Sequence, residues 1–197
     1  YRGLFRLDVP ADPAFMPFFA ESVRIDRMQR RSQGELAQIA TEEGALVIAD
    51  MVTSLGGHPV ELNAWGIDVA YSCTQKCVGA PSGLAPIAVA RRARAKTREC
   101  RTFFFDLKLL VDYWLNRKYH HTMSASLIYA LREALVMIDE EGLEARWARH
   151  ERHHAVLAAG LEGMGLSLLP PAGERLWTLN AVRVPEGVDE ASVRRML

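Results

Sequence analysis

The chain reads as an α/β protein. Three short apolar runs of strand length end beside polar residues, and two long stretches further on carry helical periodicity. A sheet with polar side chains at the carboxyl ends of its strands is where α/β proteins seat their ligands.

Taken in order, residues 1–20 are rich in Pro and Phe and follow no period. Ser32 is placed to cap a helix through Glu35, Leu36, Ile39 and Ala40, with Gly44 as its stop. Ala45-Leu46-Val47-Ile48-Ala49 is a continuous apolar run of the kind that makes a buried parallel strand. Gly56-Gly57-His58-Pro59 is a turn. Val69-Ala70-Tyr71-Ser72 reads as a second strand and Leu84-Ala85-Pro86-Ile87-Ala88-Val89-Ala90 as a third, which Pro86 confines to an edge or a bulge. Residues 97–122 read as irregular and aromatic.

A strong helix is expected over residues 124–141, where Leu127, Ile128, Leu131, Leu135 and Ile138 recur at helical spacing and Gly142 stops the pattern. A second runs over 143–164, closed by Gly163 and Gly165. Residues 166–169 and 179–184 read as strands of a smaller α+β unit, and Asp189 as the cap of a last helix. The expected organisation is an unassigned stretch over 1–33, part of a large domain over 34–141, and part of a small domain over 142–197.

Of the 197 residues, 49% are hydrophobic and 24% charged, as in a globular protein with a real core. Lys+Arg and Asp+Glu both count 24, so no net field draws nucleic acid or an anionic membrane. Arginines cluster between residues 24 and 31 and between 91 and 101, as on solvated helix faces. No apolar run is long enough to span a bilayer, and the first residues lack a signal-peptide layout. Three cysteines are too few for a disulfide framework and fit a reducing, cytoplasmic setting. The chain starts at Tyr1, so its natural N-terminus is expected to be missing.

The most informative residue is Lys76, in Ser72-Cys73-Thr74-Gln75-Lys76-Cys77-Val78-Gly79-Ala80-Pro81-Ser82-Gly83. It follows one strand, and Asp50 ends another. A lysine and an acid that meet in one cleft are what pyridoxal 5'-phosphate chemistry requires: an amine for the Schiff base and a carboxylate to keep the pyridine nitrogen protonated. The alternatives are a surface lysine at a strand end and a strand-end acid that caps the next segment. Tyr119-His120-His121-Thr122 precedes a helix, where hydroxyls suit a phosphate; Thr122 as a simple cap beside a surface His pair is the other reading.

His150-Glu151-Arg152-His153-His154 matches H-E-x-x-H, with His150 and His154 on one helix face and Glu174 as a conceivable third zinc ligand. Arg146, Arg149 and Arg152 oppose a cation there, and a solvated helix face is the plainer reading. Cys73 and Cys77 lie at C-x-x-x-C spacing, which is not the redox spacing, and read as packing residues.

The ordered set Ala49-Asp50-Met51-Val52-Thr53-Ser54-Leu55-Gly56-Gly57, Trp65-Gly66-Ile67-Asp68, Thr74-Gln75-Lys76, Ala80-Pro81-Ser82-Gly83-Leu84-Ala85-Pro86 and Tyr119-His120-His121-Thr122 resembles the class V aminotransferases. Within them it is most similar to the alanine–glyoxylate and serine–pyruvate aminotransferases, from about Glu35 to the end. Gln75 before the lysine argues against the cysteine desulfurases, which usually carry a His there.

The resemblance implies fold type I of the pyridoxal-phosphate-dependent transferases: part of the large, mainly parallel-sheet domain and part of the small α+β domain. It implies that Lys76 forms the Schiff base and shuttles the proton, that Asp50 pairs with the pyridinium nitrogen, that Val52 packs on the ring and that Gln75 contacts the phosphate. Tyr119 and Thr122 would reach the phosphate in the neighbouring subunit, which makes the active unit a homodimer with shared sites. The implied reaction is ping-pong transamination between a small amino acid, alanine or serine, and a 2-oxo acid, glyoxylate or pyruvate.

The family's Gly/Ser-rich phosphate loop and ring-stacking aromatic residue have no counterpart in residues 1–33. The family's arginine for the substrate carboxylate is expected beyond Leu197. A non-catalytic remnant of the fold is therefore the competing expectation, with apolar faces of strands 46–50 and 69–74 left exposed.

Overall fold

The computed structural model describes residues 39–98 and 100–196. The stretch 1–33, with the expected cap at Ser32, lies outside the described residues. Residues 39–42 are helical, and the chain then turns through Gly44 into the sheet.

Three short strands form that sheet: β1 (Ile48–Asp50), β2 (Val69–Tyr71) and β3 (Ile87–Val89), in the order β1-β2-β3. β1 and β2 run parallel, with Asp50 opposite Tyr71. β2 and β3 run antiparallel, with Tyr71 opposite Ile87. The sheet is thus mixed, where a mainly parallel one was expected. Apolar content marks a strand but carries no direction, and the connection over 72–86 forms a loop rather than the helix a parallel crossover requires. β3 lies at an edge among the described strands, as Pro86 requires.

One sheet face is covered. Ala49 and Ala70 bury against Met51 and Trp65, with Leu55, Val60, Leu62 and Ile67 packed around them. The other face carries Ile48, Asp50, Tyr71 and Ile87, all exposed. Ile48, on the strand over 46–50 whose apolar face is expected to be exposed, is 47% exposed, and Ile87 of β3 is 52% exposed.

Beneath the sheet, Asp68 is buried. Its carboxylate accepts from Val47 N at 2.9 Å and from Arg92 Nε at 2.8 Å, with a second contact from Arg92 Nη2. This pair ties β2 to helix α1 (Arg91–Ala95). The guanidinium of Arg92 holds the Asp68 carboxyl below its ordinary range.

Helix α2 (Leu107–Asn116) falls within the segment that reads as irregular, and corrects it. Its signal is Asp106, whose Oδ1 accepts from Lys108 N at 2.8 Å and Leu109 N at 3.3 Å. The aromatic run just before it masks the apolar spacing of Leu107, Leu110, Val111 and Trp114.

Helices α3 (Ala125–Glu141) and α4 (Leu143–Gly163) match the helical periodicity to within one residue at each end. Gly142 alone separates them; it has φ +79°, a conformation that L side chains rarely adopt. The two strands expected over 166–169 and 179–184 reduce to one antiparallel bridge, Leu168 to Val182. An isolated strand pair is marginal without further partners. A 3-10 turn at Ala172–Glu174 and helix α5 (Glu190–Met196) complete the described chain; Asp189 accepts from Ala191 N at 3.2 Å and caps α5 as expected.

Candidate active site

β1 and β2 end side by side, and the parallel pairing brings Asp50 next to Tyr71. Asp50 Oδ1 accepts from Val52 N at 2.8 Å, and Oδ2 accepts from the Tyr71 hydroxyl at 3.0 Å. Both oxygens are therefore oriented, yet Asp50 is exposed, on a sheet face that no described residue covers. Burial, with the Asp50 carboxylate beside it, pushes the Tyr71 phenol up to about 12. Tyr71 thus stays a donor at any ordinary pH. The sequence reading missed this residue; its place opposite Asp50 follows only from the strand register.

Gln75 and Lys76 stand just beyond β2, exposed on a loop that is otherwise firmly held. Thr74, fully buried, donates its hydroxyl to Pro81 O at 2.5 Å. Ala80 N closes back on Thr74 O at 2.9 Å, and Gly79 N on Lys76 O at 2.9 Å. Ser72 Oγ donates to Met51 O at 3.0 Å, which ties the end of β2 to the residue after Asp50. Val78 and Ala80 bury against Ala134 and Ile138 of α3; burying Val78 alone contributes about 1.5–2 kcal/mol. The loop backbone is fixed, and the Lys76 ammonium extends from it with no hydrogen-bond or ion-pair partner among the described residues.

A second layer closes under this loop. Cys77 Sγ donates to Thr53 O at 3.1 Å, and the Thr178 hydroxyl donates to the same carbonyl. Gly57 sits between them: a Cβ there would lie 2.5 Å from Thr178 Cγ2 and 2.9 Å from Cys77 Sγ. Burial pushes the Cys77 thiol up, away from the thiolate a nucleophile needs. The reading of Cys77 as a packing residue agrees with that environment.

Tyr119 and Thr122 join each other, hydroxyl to hydroxyl, at 2.8 Å. Tyr119 is 77% exposed. No hydrogen bond links this pair to Asp50, Gln75 or Lys76. Between them, His120 is buried rather than one of a surface pair: its ring stacks on Phe103 at 4.3 Å, Nε2 meets Phe103 O at 2.9 Å, and Nδ1 faces His121 Nδ1 at 2.8 Å. The two adjacent rings stand edge to face at 5.0 Å.

The H-E-x-x-H segment lies on α4, and its surroundings oppose a cation. Burial, followed by the positive charges of Arg149 and Arg146, lowers the His150 imidazole below its ordinary value. His154 Nδ1 engages Asn180 Oδ1 at 2.7 Å. Among the described residues no group of three His, Cys, Asp or Glu side chains is placed to hold a metal ion. Nor is any described helix long and apolar enough to cross a membrane.

Comparison with known proteins adds to this geometry. The family model of the class-V aminotransferases matches residues 31–197. The (S)-ureidoglycine–glyoxylate transaminase of Bacillus subtilis is 38% identical over 185 residues, covering 82% of this chain and 44% of that protein. The alanine–glyoxylate aminotransferase of Drosophila melanogaster is 39% identical over 164 residues, covering 79% of this chain and 42% of that protein. A solved alanine–glyoxylate aminotransferase from Nostoc sp. superposes with a TM-score of 0.76 at 44% identity, covering 82% of this chain and 44% of that one. The chain thus spans less than half the length of these relatives. The family match over residues 31–197, with these relatives, identifies the chain as a member of the class-V aminotransferases, a family of enzymes with fold type I.

Proposed function

We propose that this chain carries the lysine and the aspartate of a pyridoxal-phosphate-dependent aminotransferase that moves an amino group from a small amino acid to a 2-oxo acid. The observation that carries the reading is the placement of Asp50 at the carboxyl end of β1, with Lys76 on the loop that leaves the adjacent parallel strand β2. Family membership implies pyridoxal 5'-phosphate as cofactor. The residues fit it: an amine without a competing partner, and a carboxylate fixed through both oxygens but open to a ring nitrogen.

When bound, the cofactor supplies a protonated ring that delocalises the electron pair left by deprotonation at the substrate Cα. Asp50 would hold the proton on the ring nitrogen, with the Tyr71 hydroxyl and Val52 N fixing its carboxylate for that task. Lys76 Nζ would act first as base toward the substrate Cα proton and then as acid. The Val52 side chain would pack against the bound cofactor. The Gln75 amide would hold the phosphate, assisted by the Tyr119 and Thr122 hydroxyls of a neighbouring subunit, which would make the working unit a homodimer with shared sites. The exposure of Tyr119, which bonds to Thr122 and not to Asp50, Gln75 or Lys76, supports a contact made across subunits. The donor leaves as a 2-oxo acid before the acceptor enters, so both half-reactions use the same lysine.

Glyoxylate is the favoured acceptor, because the names of the Bacillus, Drosophila and Nostoc relatives all contain it. Alanine or serine is the favoured donor and pyruvate the second acceptor; (S)-ureidoglycine is a further donor on the strength of the Bacillus relative. We place the enzyme in the cytoplasm, where the unpaired thiols of Cys73, Cys77 and Cys100 stay reduced. The test is glycine formation from glyoxylate with alanine, serine or (S)-ureidoglycine as donor. Turnover that needs added cofactor and saturates in both substrates supports the reading. A folded, homogeneous sample that transfers no amino group from any of the three donors overturns it in favour of a non-catalytic remnant.

A further inference from the structure

One side chain outside the strand ends joins the Lys76 loop to two other parts of the chain. Arg146 sits one turn into α4, with its side chain only 13% exposed. Its Nη2 donates to Cys77 O at 2.7 Å, the carbonyl immediately after Lys76. Its Nε donates to Gly56 O at 3.0 Å, in the turn that follows β1. Its Nη1 donates to Glu141 Oε2 at 2.8 Å, at the end of α3. One planar guanidinium therefore joins the loop after β2, the turn after β1 and the junction of two helices.

From this arrangement we infer that Arg146 is a positioning residue for Lys76, holding the lysine loop in register with the Asp50 strand from the far side of the α3–α4 junction. The inference rests on the proposed role of Lys76. Glu141 and Arg149 complete the device. Arg149 grips the other side of the Glu141 carboxylate, with Nε on Oε1 at 2.5 Å and Nη2 on Oε2 at 2.8 Å. Arg149, and after it Arg146, holds the Glu141 carboxyl down at about 2, so the clamp stays ionised through mild acid. The single-residue break at Gly142 brings Glu141 and Arg146 close enough to pair across the helix junction.

An arginine is needed because three acceptors lie in different directions around one plane. A lysine ammonium has donors at a single point and cannot span them. Cys77 O and Gly56 O belong to loops and, among the described residues, have no helix or strand partner to replace the guanidinium.

The test compares wild type with R146K, R146M and E141Q in two readouts: amide hydrogen exchange, and borohydride trapping of added cofactor on Lys76 mapped by peptide mass spectrometry. Both arginine variants should speed exchange across residues 72–84 by about tenfold, while β1 and α3 exchange as in wild type. The trapped fraction at Lys76 should fall in parallel, and R146K should not restore it. E141Q keeps Arg146 and its two carbonyl contacts, so it should give a smaller effect in the same direction. Wild-type exchange in 72–84 together with wild-type trapping in R146K overturns the inference and leaves the role of Lys76 intact. A uniform rise in exchange over the whole chain also overturns it, as the mark of a general stability role. Failure of the wild-type chain itself to trap cofactor on Lys76 overturns the proposed function, and the inference with it.

Discussion

Two regions supply the proposed cofactor contacts, and they are built in opposite ways. Around Lys76, the backbone is held by hydrogen bonds: Thr74 to Pro81 and Leu84 within the loop, and Ser72 to Met51, Cys77 to Thr53 and to Arg146 from 21 or more positions away. Around Tyr119, contacts reach no more than 17 positions along the chain and are mostly aromatic: Tyr119 with Thr122, His120 with His121, Phe103 and Tyr113. The first region presents its working groups from a rigid floor. The second presents hydroxyls beside a broad exposed apolar surface that includes Phe103, Phe104 and Trp114. A patch of that character suits contact with another chain, whereas the strand ends need no partner to orient Asp50.

Breaking the first region at its centre should have the largest effect. Lys76→Ala removes the only base proposed at the substrate Cα and should lower kcat by about 10²–10⁴-fold, measured by steady-state glycine formation at saturating cofactor. Asp50→Asn keeps the shape but not the charge. It should lower kcat by about 10²–10³-fold, with the unfolding midpoint little changed because Asp50 lies on the open face.

Changes under the floor should act on stability instead. Asp68→Asn leaves the Arg92 guanidinium without its counter-charge. We expect a loss of about 2 kcal/mol by urea denaturation at neutral pH, below the value for a fully buried pair because a third of the Arg92 side chain is exposed. The sign of its pH dependence is set by the lowered folded-state value. The contribution is fully present above 3.8, the ordinary value, and disappears as pH falls through the folded one. Wild type and Asp68→Asn should therefore converge in acid. Gly57→Ala crowds Thr178 and Cys77 and should cost about 1–2 kcal/mol, with a slower onset of cofactor trapping.

The smallest effect belongs to the second region. Tyr119→Phe removes one hydroxyl from the proposed phosphate contact and should weaken cofactor affinity by about tenfold, with no change in the unfolding midpoint. An equal loss of stability in this variant would show that the Tyr119–Thr122 contact serves the fold rather than a ligand.

The same contrast explains what could be read from the residues alone. The strands at Ile48–Asp50 and Val69–Tyr71 and the helices on either side of Gly142 follow from local hydrophobic periodicity and stop signals. The ordered motifs carried the family. Strand direction, the Tyr71–Asp50 pair and the contacts of Arg146 to Cys77 and Gly56 could not be read, because each joins residues 16 or more positions apart. Helix α2 was hidden by its aromatic preface, and the burial of His120 by stacking partners 16 or 17 residues upstream. Strands over 166–169 and 179–184 read plausibly from composition, but a ladder needs neighbours that composition does not reveal.

The most direct test of the central claim is the absorbance spectrum of the purified chain with added pyridoxal 5'-phosphate, before and after borohydride, followed by peptide mapping. A visible band that reduction fixes onto Lys76, and that is lost in Lys76→Ala, is the predicted result. A folded chain with no such band, or with the label spread over other lysines, would contradict it.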